Sequence, residues 1–394
     1  MSRPVAVVGT DAVAEAMRQI EPDVVAAYPI TPQTAIVETF ATMVANGEVK
    51  TEMINVESEH SAMSACIGAA SGGARVMTCT SSQGLGLMWE MLYIASGLRL
   101  PIVMPNVNRA LSAPINIHCD HSDSMGARDS GWIQIFSENA QEAYENTIQA
   151  ARIAEHPDVL LPAMVLLDGF IISHGTERAE FYDDEKVREF VGEYKAPYTL
   201  LDSENPITVG SFDGLYGYFF EFKRAQEQAM HNALPVVKEV GEEFGKKFGS
   251  NRGYFETYQL EDAEVAFVAL GSGAGTTRAA VQQLRKEGVK AGMLKLRLFR
   301  PFPEEELVKA LSHVPVVAVL DRSLTNSGGP SGPVCLETMS AFYNAESKPT
   351  ILSYIYGLGG RDFNPQMVKD AAYDLVEGNI PQGTSYLGLK EEDN

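Results

Sequence analysis

Several things are scarce in this chain, and each scarcity removes a class of function. There are four cysteines, Cys66, Cys79, Cys119 and Cys335, and no two form a CxxC pair. Neighbouring thiolates therefore build neither a four-thiolate iron–sulfur cluster nor a structural zinc site. Three of the four sit among apolar or small residues, which points to buried free thiols in a reducing cytoplasm. Positive charge is scarce too: Lys+Arg 31 against Asp+Glu 52 leaves a net charge of −21, which argues against nucleic acid and anionic membrane as partners. No apolar run reaches membrane-spanning length and no charged-then-apolar leader opens the chain, so the expectation is a soluble, cytoplasmic protein.

What is present is alternation. At 394 residues the chain has room for two or three domains. Apolar strand-like runs at Pro4–Val8, Asp23–Ala27, Glu52–Val56, Arg75–Thr80, Pro101–Val107 and Val159–Gly169 are separated by helix-like stretches, among them Ala12–Ile20, Gly84–Ser96 and Glu138–Glu155. Strand–helix alternation of this kind gives a parallel sheet covered on both faces, here a first domain over residues 1–175. Residues 176–260 are more charged and carry the aromatic cluster Tyr216–Phe222. They read as a mixed connector with one long helix, Phe220–Phe248, its aromatics packing on the first domain. Residues 261–394 alternate again and form a second α/β domain. The fold class is thus α/β: two parallel-sheet domains joined by a mixed connector.

The stretch around which the rest is organised is Tyr28-Pro29-Ile30-Thr31-Pro32-Gln33-Thr34, where an apolar run ends and a helix begins. Pro32 suits the first helical position, which would make Thr31 the helix cap. Such strand-to-helix corners collect anionic ligands, although capping alone also explains a Thr-Pro pair. Downstream lie Ile54-Asn55-Val56-Glu57-Ser58-Glu59-His60-Ser61-Ala62, Thr80-Ser81-Ser82-Gln83-Gly84, Asn108-Arg109-Ala110-Leu111-Ser112-Ala113-Pro114, Asp120-His121-Ser122-Asp123 and Arg128-Asp129-Ser130-Gly131-Trp132. Taken alone, Glu59 is equally a helix-start acid favoured by the dipole, and Arg109 equally a surface ion pair. His118, Asp120, His121 and Asp123 have the composition of a metal site, but we assign them none. Gly271-Ser272-Gly273-Ala274-Gly275 has the look of a phosphate loop without the full dinucleotide fingerprint, and reads better as a tight turn.

Taken in this order, the strings resemble the alpha subunits of the thiamine diphosphate-dependent 2-oxoacid:ferredoxin oxidoreductase family, those of the pyruvate and 2-oxoisovalerate type, over nearly the whole chain. The resemblance implies a pyrimidine-binding first domain. The string Leu296-Arg297-Leu298-Phe299-Arg300-Pro301-Phe302-Pro303 looks like the transketolase C-terminal domain, which is chiefly structural in that family. By the same resemblance Glu59 shares a proton with the cofactor's aminopyrimidine, with Glu57 the competing assignment. Thr31 and Arg109 hold the substrate carboxylate, and Pro29, Ile30, Ser82 and Gln83 contact the cofactor. Cys119 and His118 depart from the pattern and leave the substrate's side-chain pocket open.

The resemblance further implies CoA-dependent oxidative decarboxylation of pyruvate, with branched-chain or aryl 2-oxo acids as alternatives. A nicotinamide-dependent dehydrogenase using the Gly271 loop and a non-catalytic organising subunit are the remaining readings. The chain lacks the Gly-Asp-Gly plus Asn motif for magnesium and diphosphate. Magnesium is therefore expected in a beta subunit, and the [4Fe–4S] clusters in gamma and ferredoxin-like delta subunits. So acidic a surface also suits docking of the electron carrier on those partners rather than on this chain.

Overall fold

The computed structural model describes residues 3–390 apart from 327 and 329–331. Short apolar strands that cannot cover their own faces are answered by helices throughout. The chain runs β1 (Arg3–Val8), α1 (Gly9–Ile20), β2 (Val24–Ala27), α2 (Thr34–Ala45), β3 (Glu52–Asn55), α3 (Glu59–Ser71), β4 (Val76–Met77), α4 (Ser82–Leu87), α5 (Trp89–Gly97), β5 (Val103–Asn108), α6 (Ser122–Gly126), β6 (Ile133–Phe136), α7 (Ala140–Ala154) and β7 (Ala163–Asp168). It continues through β8 (Thr176–Phe181), α8 (Asp184–Val191) and the long α9 (Phe219–Phe248). The last third is β9 (Phe255–Tyr258), β10 (Val265–Ala269), α10 (Gly273–Lys286), β11 (Ala291–Leu296), β12 (Leu298–Arg300), α11 (Glu304–Leu311), β13 (Val316–Asp321), α12 (Pro333–Ala341), β14 (Thr350–Tyr356), α13 (Pro365–Val376) and β15 (Thr384–Leu387).

The first sheet has seven strands in the order β12-β6-β7-β5-β4-β2-β3, all parallel except β12. Every residue of β5 and β7 is buried, as a sheet covered on both faces demands. The register sets Ala27 beside Asn55 and Asn108 beside Asp168, so the chain leaves β2, β3, β5 and β7 along one edge. The second sheet has six strands, β15-β14-β13-β10-β11-β9, parallel but for β9.

The units are clasped rather than strung together. After β11 the chain crosses to pair β12 with β6, Leu298 opposite Ile135, and Phe299 meets Phe136 edge-on at 6.2 Å between ring centres. Beside the clasp the buried Lys295 contacts Glu138 at 2.9 Å, Glu142 at 2.5 Å and Glu256 at 3.0 Å, tying β11 to α7. A buried cation at this depth is tolerated because it is surrounded by carboxylates.

Two expectations change. The apolar run Pro4–Val8 does not enter the main sheet: β1 pairs antiparallel with β8 as a separate ribbon, half-exposed along its length, and α8 packs on α1. The aromatic cluster opening α9 does not pack on the first unit either. Tyr216 is 97% exposed and Phe220 82%, because the buried stripe of the helix begins only at Ala229 and continues through Ala233, Val237 and Phe244.

Candidate functional site

The site is assembled from the turns that follow β2, β3, β4 and β5. Thr31 is not the cap of α2. The N–H groups of Gln33 and Thr34 both bond the Ile30 carbonyl, at 2.8 and 3.1 Å, closing a turn before the helix starts at Thr34. That turn leaves Pro29 and Thr31 exposed and Ile30 half-buried. It is pinned from below by the fully buried Gln33, whose amide donates to the Cys79 carbonyl at 3.1 Å and whose Oε1 accepts the Ile30 N–H at 3.2 Å. The Thr31 carbonyl accepts Arg109 Nη1 at 2.8 Å. The two residues expected to share the substrate carboxylate are thus neighbours, joined through the Thr31 backbone. Arg109 is buried, and its Nε has no partner, so one part of a planar donor fork is fixed while another is left to give.

Glu59 is the first residue of α3. Ser58 caps the helix by accepting the Ser61 N–H at 3.2 Å, and Glu59, the acid of the first turn, still meets the helix dipole. Glu59 is buried, yet no hydrogen-bond donor or cation among the described residues reaches its carboxylate. Glu57, by contrast, is exposed, and its carboxylate accepts the Ser61 hydroxyl at 2.7 Å, which with its own backbone bond lowers its pKa. Gly84 makes the Glu59 position possible: a Cβ there would lie 2.7 Å from Glu59 Oε1 and would collide with Thr80 Oγ1. Thr80 Oγ1 is itself buried without a partner. A donor-free carboxylate beside an unpartnered hydroxyl is an environment for a ligand that brings its own N–H groups.

Ser82 and Gln83 follow directly. Ser82 is buried with φ +47°, a left-handed conformation uncommon for a residue with a Cβ. Its hydroxyl donates to the Ala110 carbonyl at 2.8 Å, and Gln83 is half-buried beside it. The Ser82 N–H bonds Asp123 Oδ2 at 2.9 Å, and the Arg109 N–H bonds the same oxygen at 3.2 Å.

The acid–histidine string does not converge as a metal site. Asp120 accepts the Ser122 N–H at 3.0 Å, His118 is exposed against Phe170, and Asp123 is surrounded by donors. His121 turns instead to Asp168, Nε2 to Oδ1 at 2.8 Å. Among the described residues Cys119, His121 and Asp168 form one group of metal-ligand type, but the Arg322 guanidinium supplies the cation there, 2.7 Å from Asp168 and 3.9 Å from Cys119 Sγ. Burial opposes ionisation of Asp168, but His121 and Arg322 outweigh it and hold its carboxyl well below the usual range. Burial, and then the Asp168 charge, push the Cys119 thiol well up, so Cys119 is an inert neighbour.

Asp168 also answers the glycine loop. Ser272 donates to its Oδ2 through both N–H, at 3.1 Å, and hydroxyl, at 2.5 Å, and a Cβ on Gly271 would stand 2.8 Å from Oδ1. The anion cradled by this loop is a side chain of the protein. Asp168 and Arg322 were missed by sequence reasoning, and Ser272 was seen only as part of the Gly271–Gly275 turn. The one signal available was Asp168 closing an unbroken apolar run at a strand's carboxyl end.

Residues 15–242 match the family model for pyruvate flavodoxin/ferredoxin oxidoreductase, thiamine diphosphate-binding, and residues 263–368 that for pyruvate:ferredoxin oxidoreductase core domain II. Pyruvate synthase subunit PorA of Thermotoga maritima is 58% identical over 98% of both chains. Ketoisovalerate oxidoreductase subunit VorA of Pyrococcus horikoshii is 47% identical over 97% of both. In three dimensions the chain overlays the 2-oxoglutarate:ferredoxin oxidoreductase from Magnetococcus marinus, solved with 2-oxoglutarate, coenzyme A and succinyl-CoA bound, with a TM-score of 0.75 at 22% identity. That overlay covers 94% of this chain and 65% of the other, which supports the shared fold. The chain belongs to the pyruvate flavodoxin/ferredoxin oxidoreductase family, its thiamine diphosphate-binding part followed by core domain II.

Proposed function

We propose that this chain is the alpha subunit of a thiamine diphosphate-dependent 2-oxoacid:ferredoxin oxidoreductase that converts pyruvate and coenzyme A to acetyl-CoA and carbon dioxide. The observation that carries the reading is a single sheet edge bearing a buried carboxylate that no donor reaches, Glu59, and an arginine with an unspent N–H, Arg109. Membership of the family and the PorA relative support the choice of pyruvate.

The residues fit the cofactor: Glu59 and Thr80 offer acceptors without partners, and Gly84 leaves room beside them. Thiamine diphosphate, when bound, supplies the nucleophilic carbon and the electron sink for decarboxylation. Glu59 holds the proton shared with the pyrimidine N1′, and its burial shields that exchange from water. Pro29, Ile30, Ser82 and Gln83 line the cofactor. Arg109, steadied by the Thr31 carbonyl, offers its remaining N–H groups to the substrate carboxylate together with the Thr31 hydroxyl. Because that carboxylate departs as neutral carbon dioxide, the grip serves orientation more than charge.

The rest of the machine lies in partners: a beta subunit with the diphosphate and magnesium, and gamma and ferredoxin-like delta subunits with [4Fe–4S] clusters. The four separate buried thiols of this chain support that division and a reducing, cytoplasmic setting. Among the described residues no helix is long and apolar enough to cross a membrane. We divide the chain near residues 175 and 260, the middle piece serving as connector.

The VorA relative favours one second reading, a branched-chain 2-oxo acid as substrate. The complex purified anaerobically through this chain and assayed for CoA-dependent viologen reduction with pyruvate, 2-oxobutyrate, 2-oxoisovalerate, 2-oxoglutarate and phenylglyoxylate decides the matter. Pyruvate clearly ahead is the expected result. 2-Oxoisovalerate ahead would replace it, and no reduction by a cofactor-loaded complex would overturn the reaction class.

A further inference from the structure

A buried acid with no counter-ion is an expensive thing to keep, and Asp123 is one. It is 3% exposed, and no basic side chain pairs with it among the described residues. Five donors converge on it: Oδ2 takes the N–H groups of Ser82 at 2.9 Å and Arg109 at 3.2 Å and the Asn106 amide at 3.2 Å, while Oδ1 takes the Asn108 amide at 2.8 Å and the Ser124 N–H at 2.8 Å. None of these groups, as oriented, can accept a proton, so the arrangement serves the carboxylate and not the carboxylic acid. Burial pushes the pKa of Asp123 up, against those bonds. An apolar residue of similar size would cost less if filling space were the only task.

The donors identify the task. Ser82 opens α4, Asn106 and Asn108 lie in β5, and Arg109 leaves β5, so one oxygen, Oδ2, gathers a helix start, a strand and a strand exit. Turning the Arg109 N–H inward to Oδ2 directs its side chain to the Thr31 carbonyl. Turning the Ser82 N–H to the same oxygen sustains its left-handed backbone at the start of the turn that carries Gly84. We infer that Asp123 is a positioning residue for substrate binding: its carboxylate fixes the Arg109 backbone so that the guanidinium stands ready for the 2-oxo acid carboxylate. The inference rests on the proposed role of Arg109 and adds the residue through which that role is set.

The test is a double-mutant cycle in the assembled complex with Asp123→Asn and Arg109→Gln, reading KM and kcat for the 2-oxo acid, KM for coenzyme A, bound thiamine diphosphate and the thermal midpoint. Asn keeps the shape but presents an NH2 group to N–H donors. The expected result is a rise of about 10-fold or more in the 2-oxo acid KM for Asp123→Asn, the scale of a weakened charge-assisted bond. Its kcat, coenzyme A KM and cofactor content should stay within about 3-fold, and it should add less than about 2-fold on the Arg109→Gln background.

An unchanged KM in Asp123→Asn while Arg109→Gln raises it overturns the inference alone, as does a full multiplicative effect in the double variant. An unchanged KM in Arg109→Gln overturns the role of Arg109 itself. If Asp123→Asn does not assemble, Asn108→Ala decides: it removes one donor to Oδ1 and should raise the 2-oxo acid KM about 3-fold, and no rise would overturn the inference.

Discussion

Two carboxyl edges of parallel sheet face different fates in this molecule. Both carry a small-residue turn leading into a helix, Thr80-Ser81-Ser82-Gln83-Gly84 in the first unit and Gly271-Ser272-Gly273 in the second. In the first, among the described residues, a buried carboxylate lacks donors and Arg109 Nε and Thr80 Oγ1 lack partners. In the second, Asp168 arrives from the first unit and takes Ser272 and Arg322, while Asp321 takes the Val334 and Cys335 N–H groups at the start of α12; the loop's own donors are spent there, although Arg322 Nε and the Tyr356 hydroxyl are buried without partners among the described residues. The lesson is that a glycine turn and a helix start mark a ligand site only when the fold leaves their donors unspent. The glycines divide in the same way: Gly84 makes room for the donor-free Glu59, whereas Gly271 makes room for Asp168, whose carboxylate is hydrogen-bonded by Ser272, His121 and Arg322.

The largest effect should come from the open edge. Glu59→Gln keeps size and burial but cannot exchange the proton, so turnover of the complex should fall by about 10²–10⁴-fold with thiamine diphosphate retained. Turnover equal to wild type would end the catalytic assignment.

At the closed edge, Asp168→Ala strands Arg322 and His121 in a dry interior. A loss of about 3–5 kcal/mol in stability is expected, read as a drop in the thermal midpoint of the complex, with the 2-oxo acid KM changed far less. Were the Gly271 loop a nucleotide site held shut by Asp168, the variant would bind NADH in a fluorescence titration; we expect no such binding.

Gly84→Ala tests the open edge more gently. The added methyl meets Glu59 Oε1 and Thr80, so overpacking of about 1–3 kcal/mol should appear as roughly 5- to 150-fold lower kcat/KM. A small change in thermal midpoint should accompany it, and unaltered kinetics would show that Glu59 does not need its present place.

The most gradual effect is a pH slope. Burial raises Asp321 from 3.8 to about 7 even though two N–H groups favour its charge. Because the folded pKa is the higher one, the folded state holds the proton between about pH 4 and 7. Stability from this group is therefore full below pH 4 and is lost as pH rises through 7, at up to about 1.4 kcal/mol per pH unit. Asp321→Asn should flatten that fall in thermal midpoints measured from pH 5 to 8, and a wild-type slope of the opposite sign would refute the assignment.

Much of this was legible before any coordinates. Alternating apolar and amphipathic runs gave the order of most strands and helices, since burial on both faces demands continuous apolar strands. The short strands β6, β9 and β12 escaped, and so did the six-residue β8, whose Thr176–Phe181 is mostly polar, whereas β2, β3 and β4 are no longer than β6 but lie in runs that read as strands. Thr31 and Arg109, expected together at the substrate carboxylate, lie together, but the bond between them was not legible because it uses a backbone carbonyl, which leaves no trace in residue type.

By itself the sequence determined the α/β class and the lack of any CxxC pair, both of which follow from local pattern and side-chain chemistry. Only the tertiary structure decided which polar groups are already satisfied. Whether Asp168 fills the glycine loop, whether Asp123 gathers Ser82 with Arg109, and whether Glu59 stands without a donor depend on contacts between residues far apart in the chain. Hydrogen bonds are spent in space, and no residue alphabet records where.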